Sequence, residues 1–176
     1  NSLSLSRLNA VNLLSSPVGR TAVVIQADRI TSFDIDSMDE LDSEFVPPGQ
    51  LGVPFVPPSN ASSAVFSPDG TRLSVRIDLS NNQGRIETYG YDPETGDITT
   101  NPISIIAPID NDLAGDLPDR LEVFAGIDQM AGSKDGSLLY VPQRKSIDVF
   151  DVESGLLVAS ITDPAIVHGT GIKLAD

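Results

Sequence analysis

One degenerate block recurs three times in fixed order, and no other feature of this chain constrains its fold as tightly. Ser16-Pro17-Val18-Gly19-Arg20, Ser67-Pro68-Asp69-Gly70-Thr71 and Ser133-Lys134-Asp135-Gly136-Ser137 each follow an apolar run. Each leads into a β-rich run: Ala22-Val23-Val24-Ile25, Leu73-Ser74-Val75-Arg76-Ile77 and Leu138-Leu139-Tyr140-Val141. Another strand candidate follows, from Arg29 to Asp34, from Arg85 to Tyr89 and from Ser146 to Asp151. A turn then closes each unit, at Asp92-Pro93-Glu94-Thr95-Gly96, at Asp151-Val152-Glu153-Ser154-Gly155 and, more weakly, at Asp34-Ile35-Asp36-Ser37-Met38. Fixed-order self-similarity means an array of one supersecondary unit.

The spacing inside the units supports this alignment. Gly19 to Ile30 is eleven residues, Gly136 to Ile147 is eleven, and Gly70 to Ile86 is sixteen. The five extra residues fit a longer hairpin tip around Ser80-Asn81-Asn82-Gln83-Gly84, where insertions are tolerated. The Asp-Gly pairs suit tight turns, because glycine takes positive φ without a Cβ clash. Ile30 and Ser32 alternate with Thr31 and Phe33, and Ile147 and Val149 with Asp148 and Phe150, the period of two that strands require. Each unit therefore reads as strand, turn, strand, hairpin, strand, turn, strand. Four short antiparallel strands in roughly 40–50 residues is the size of one propeller blade.

The pattern resembles the YVTN-type β-propeller repeat family, close in appearance to WD40 repeats. The resemblance rests on Phe66-Ser67-Pro68-Asp69-Gly70-Thr71-Arg72-Leu73, on Asp135 to Val141, and on Ile147 to Asp151 with Glu153-Ser154-Gly155. It covers residues 9–163, with the first unit degraded: Val18 stands in place of the turn Asp and Met38 in place of the second Gly. It implies an all-β fold, a propeller-like array of about three four-stranded antiparallel blades at about 9–58, 61–107 and 123–163, plus partial strands at 2–8 and 166–175. Three blades fall short of the roughly 4–8 of closed rings. The expectation is a fragment, a split chain or an open arc, the alternative a compact closure in which both ends share a reduced blade.

Composition excludes several partners. The net charge of −14 would repel nucleic-acid phosphates and anionic membranes. No segment reaches the roughly 18 uninterrupted apolar residues of a membrane span. The chain has no cysteine, which excludes thiol catalysis and Cys-ligated metals. It starts at Asn1 without Met, as a processed product would. With few lysines and many Ser, Thr, Asp and Asn, the composition and the repeat type suggest a bacterial periplasmic or extracellular protein.

Two connections interrupt the array. Residues 39–60 contain Phe-Val-Pro-Pro twice, ending at Pro48 and Pro58. Prolines lock φ and remove donors, so extended backbone is expected, with the outermost strand of the first unit absent or irregular. Phe45 and Phe55 either cover the blade edge or present a docking arm. Residues 101–122 carry Asp110, Asn111, Asp112, Asp116 and Asp119, oxygen ligands of the kind a Ca²⁺ loop uses. Gly115 fits the sixth position of an EF-hand loop, but Leu121 occupies the twelfth and Glu122 follows it, so a solvated loop is the plainer reading.

No nucleophile elbow, phosphate loop or dinucleotide fingerprint is present. His168 is the single histidine, and Gly169-Thr170-Gly171 beside it lacks a third motif glycine. The sequence thus assigns no catalytic, cofactor-binding or metal residue. Its leading functional reading is a non-enzymatic module that mediates protein–protein assembly, with another chain completing or covering the propeller edges. Homo-oligomers are disfavoured by the acidic charge. The competing reading is part of a propeller enzyme, lactonase-like or a cofactor-bearing periplasmic oxidoreductase, with Asp128, Gln129 and His168 as channel-facing polar candidates.

Overall fold

The computed structural model describes residues 10–26, 29–45, 60–78, 83–110, 130–143 and 146–162. Twelve strands and no helix occur among them. The first sheet is β1 (Ala10–Ser15), β2 (Thr21–Gln26), β3 (Arg29–Asp34) and β4 (Glu40–Phe45). The second is β5 (Asn60–Phe66), β6 (Arg72–Asp78), β7 (Gln83–Gly90) and β8 (Ser104–Asp110). The third is β9 (Ala131–Gly132), β10 (Leu138–Pro142), β11 (Ser146–Asp151) and β12 (Leu157–Thr162). Each sheet is a four-stranded antiparallel meander in chain order. The three repeats are thus three copies of one sheet, as the spacing requires.

The repeat block is the turn between the first two strands of each sheet. Gly19, Gly70 and Gly136 have φ of 81°, 71° and 72°, the left-handed region that only glycine enters freely. In the second and third blocks the aspartate closes the turn. Ser67 Oγ donates to Asp69 Oδ1 at 2.6 Å, and Ser133 Oγ donates to Asp135 Oδ1 at 2.6 Å.

The alternation of the central strands fills two cores. Val23, Ile25 and Ile30 of the first sheet meet Leu73, Val75, Ile77, Phe66 and Tyr89 of the second. Ile86 and Ile106 on the opposite face of the second sheet meet Leu139, Val141 and Phe150 of the third. Each such side chain contributes about 1.5–3 kcal/mol relative to exposure. The sheets therefore stack face to face.

The structure differs from the expected layout at three places. β4 is present, with one register shift opposite Ser32 and Phe33, because Glu40–Phe45 finishes pairing with β3 before the first proline at Pro47; the proline-rich connection therefore starts later than residue 39. β8 extends into the segment read as a loop from 101, and it carries Pro108 as the outer strand of its sheet, where a missing amide costs no ladder bond on the open side. In the second unit, Gln83 and Gly84 already belong to β7, paired to β8 and β6, so the hairpin tip is shorter than expected.

A further insertion lies between Ile86 and Asp92, which are six residues apart where Ile30 and Asp34 are four. It lengthens the last hairpin of the second sheet, adding the bridge Tyr91–Ile98. The partial strands expected at 2–8 and 166–175 lie outside the described residues.

Gly136→Val would place a β-branched residue at φ 72°, with its Cβ 3.2 Å from Pro68 Cδ. Urea melts should show it less stable than wild type by about 1–3 kcal/mol. Equal midpoints would contradict the turn assignment.

Candidate functional site

Polar chemistry concentrates at the two seams between sheets and at the turn end. The first seam is tied by backbone-directed bonds. Ser32 Oγ donates to Gly96 O at 2.7 Å, and Asp42 Oδ2 accepts from Ile98 N at 2.8 Å. Thr100 Oγ1 donates to Glu44 Oε1 at 3.3 Å. Behind these lie Arg85, Glu87 and Tyr89, which share one face of β7 because strand side chains repeat every two residues. Arg85 Nε stands 2.7 Å from Glu87 Oε1, and the Tyr89 hydroxyl donates to Glu87 Oε2. Burial first, and then the bond to Glu87, push the Tyr89 hydroxyl far above its ordinary range, so it stays a neutral donor.

The second seam carries a different polar group. Arg76 is fully buried and donates from Nη1 to Pro142 O at 3.1 Å. Ser63 is its register partner on β5 and shares its face. Gln143 follows Pro142 directly. Ser63 Oγ and both amide atoms of Gln143 are buried and have no hydrogen-bond partner among the described residues. Burying such atoms costs about 1–3 kcal/mol each, which is why native proteins satisfy most of them with water or a ligand.

The turn end holds an open hollow of about 380 Å³ between the second and third sheets, lined in part by Asp69, Arg72, Lys134, Asp135 and Glu153. Its aspartates serve their own turns. The hydroxyls of Ser133 and Ser137 and the Ser137 amide hold the Asp135 carboxyl at about 2, and Ser67 and Thr71 hold Asp69 below its ordinary value. Among the described residues no group of three or more His, Cys, Asp or Glu is arranged to hold a metal ion.

The sequence candidates and these clusters do not coincide. Asp128, Gln129 and His168 lie outside the described residues, as do Phe55 and the acidic segment from Asn111 to Glu122. Asp110 ends β8 and Phe45 ends β4. Arg76, Ser63, Glu87 and Gln143 went unnoticed. The available signal was Arg76 itself, a charge inside the run Leu73 to Ile77 whose apolar neighbours are all buried.

Stacked four-stranded meanders with their first strands side by side define the β-propeller class of fold, and comparison with solved structures agrees. The chain is similar to a candidate 6-phosphogluconolactonase from Bacteroides fragilis, with a TM-score of 0.59 at 19% identity over 94% of this chain and 41% of that one. It is similar to a functionally unknown protein from Desulfotomaculum acetoxidans, with a TM-score of 0.61 at 18% identity over 92% and 44%. It is also similar to the β-propeller domain of Cps50 (Swd1) from Myceliophteria thermophila, with a TM-score of 0.55 at 12% identity over 88% and 44%. The chain therefore spans less than half the length of each. No family model matches it, and no curated protein matches it. At these identities the likeness is one of fold.

Two outcomes test the polar clusters. Glu87→Ala leaves the buried Arg85 without its carboxylate and should cost about 3–5 kcal/mol in urea melts. Asp135→Asn should lower stability at pH 7. Because the Asp135 carboxyl is depressed from 3.8 to about 2, its contribution is complete above about pH 4 and lost as pH falls towards 2. Melts across that range should show the difference between variant and wild type closing.

Proposed function

We propose that this chain is a non-enzymatic propeller module that mediates protein–protein assembly in a bacterial periplasmic or extracellular setting, its repeat being of YVTN type. The observation that carries the proposal is the state of the third sheet. Ile106 and Ile161 hold the same register position, each paired to the isoleucine four residues before the end of its third strand. Ile106 lies under the third sheet and is 3% exposed, whereas Ile161 is 48% exposed. Val158, the extra residue at the register shift of the same strand, is also more than half exposed. An apolar sheet face of this kind marks an interface. The partner is another chain that completes or covers the propeller edge, and a net charge of −14 favours a different chain over a second copy.

A photo-crosslinking residue at position 161 tests this in the native source. It should yield an adduct with one other polypeptide, identified by mass spectrometry, while the same residue at the exposed turn position 153 should not. Equal yields at both positions would refute the proposal.

One observation favours a second reading, part of a propeller hydrolase. The second seam buries Ser63 Oγ and the Gln143 amide unpartnered beside Arg76, and a resemblance to candidate lactonases accompanies it. Hydrolysis of a sugar lactone by the chain would support this reading, and no turnover above solvent would leave the module.

A further inference from the structure

The closing turns of the three sheets share one backbone form. The amides of Met38, Gly96 and Gly155 donate to Asp34 O, Asp92 O and Asp151 O at 2.9, 2.7 and 2.9 Å. The leading aspartate accepts from backbone amides within each turn. The fifth residue has φ of 61°, 80° and 69°.

The surroundings of that fifth residue differ. Gly96 lies against the first sheet, where a Cβ would meet Leu41 Cδ1 at 2.6 Å and Ser32 Oγ at 3.1 Å. Gly155 lies against the second sheet, where a Cβ would already touch Ile105 O at 3.4 Å and Ile106 Cγ1 at 3.6 Å. At both seams this turn is the part of a sheet that reaches over the sheet before it; at the first seam glycine sets the approach, whereas at the second a Cβ would make ordinary contact and only bulk beyond it would be excluded. The first sheet carries Met38 at the same point, the one non-glycine at positive φ among the described residues.

Holding a methionine there costs conformational energy that glycine avoids. Packing within the described residues does not recover it, since Met38 is 47% exposed. Ile35, at the second turn position, is 44% exposed, whereas Val152 at that position in the third sheet is buried in the core. The outer side of the first sheet therefore presents an apolar knob where the repeat elsewhere presents a flat glycine.

We infer that Met38 decides which sheets can pack beside this chain. It bars docking of the β1–β4 flank onto a sheet of this repeat in the close form used at the first internal seam. The β9–β12 flank keeps the internal form of contact, and its occupant is a repeat sheet bearing glycine at this turn, hence not the first sheet of a second copy. The inference deepens the assembly reading and rests on it. Continuity with the two internal seams supports the occupant, as does the length of the solved neighbours, of which this chain spans 41–44%.

Sedimentation equilibrium of wild type and Met38→Gly tests it, in low salt and in roughly 0.5 M salt, where a Debye length well under 10 Å screens the acidic surfaces. Glycine suits φ 61°, so the variant should melt at or above the wild-type temperature and folding does not confound the result. Wild type should remain monomeric. Met38→Gly should associate head to tail at least about tenfold more tightly, a difference of about 1.4 kcal/mol. Adding Ile161→Asp to the variant should return it to monomer. Equal association of wild type and Met38→Gly would make a second copy the occupant and overturn the inference. So would a variant that stays monomeric, or association indifferent to Ile161→Asp. A crosslink from position 161 to another polypeptide would still leave the assembly reading standing in each of these cases.

Discussion

Close approach of turns across the sheet seams is the constraint on which the rest depends. A sheet in this array buries both faces only if its neighbours come near enough to interdigitate, and turns at the seams are points of close approach. Gly19 makes the point: a Cβ there would sit 2.4 Å from Pro93 O of the next sheet. The two inserted residues that lengthen the last hairpin of the second sheet bring that proline carbonyl into place, and Thr21 Oγ1 then donates to it. Loss of a glycine at a seam would hold two whole faces apart, so the cost reaches beyond its own turn.

The polar content of the seams follows from the same geometry. Once two sheets are close, the backbone of the arriving turn needs partners, and short polar side chains on the receiving sheet provide them. Ser32 and Asp42 do so at the first seam, and Ser104 Oγ donates to Val152 O at the second. Ser104 and Asp42 hold the same register position, and Ala159 takes it in the third sheet. The receiving edge of the third sheet is thereby more apolar than either internal one. The Arg85–Glu87–Tyr89 group is of another kind. Its ion pair and its Tyr89–Glu87 bond lie within one strand, and its burial demands mutual neutralisation.

Fold and function separate sharply in this protein. Solved structures with the same architecture include a candidate lactonase and a domain of Swd1, so sheets of this kind carry unrelated activities. The departures from the repeat within this chain are local: an exposed Ile161, a Met38 where glycine recurs, and, among the described residues, an unpartnered Ser63 and Gln143 beside a buried arginine.

The sequence by itself determined the unit, the number of units and their turns. Period-two alternation and Asp-Gly spacing are local properties, and residues such as Val23, Leu73 and Leu139 could face nothing but a core. It misread β4, because Pro47 and Pro48 drew attention from the pairing that Glu40–Phe45 completes before them. The polar seams were illegible for a different reason. Arg76 meets Pro142 across sixty-six positions of chain, and only the stacking of one sheet on the next brings them to 3.1 Å. The same holds for Met38. The sequence showed a missing glycine, and the tertiary structure showed that at the first seam a Cβ at this point would collide with the sheet before it.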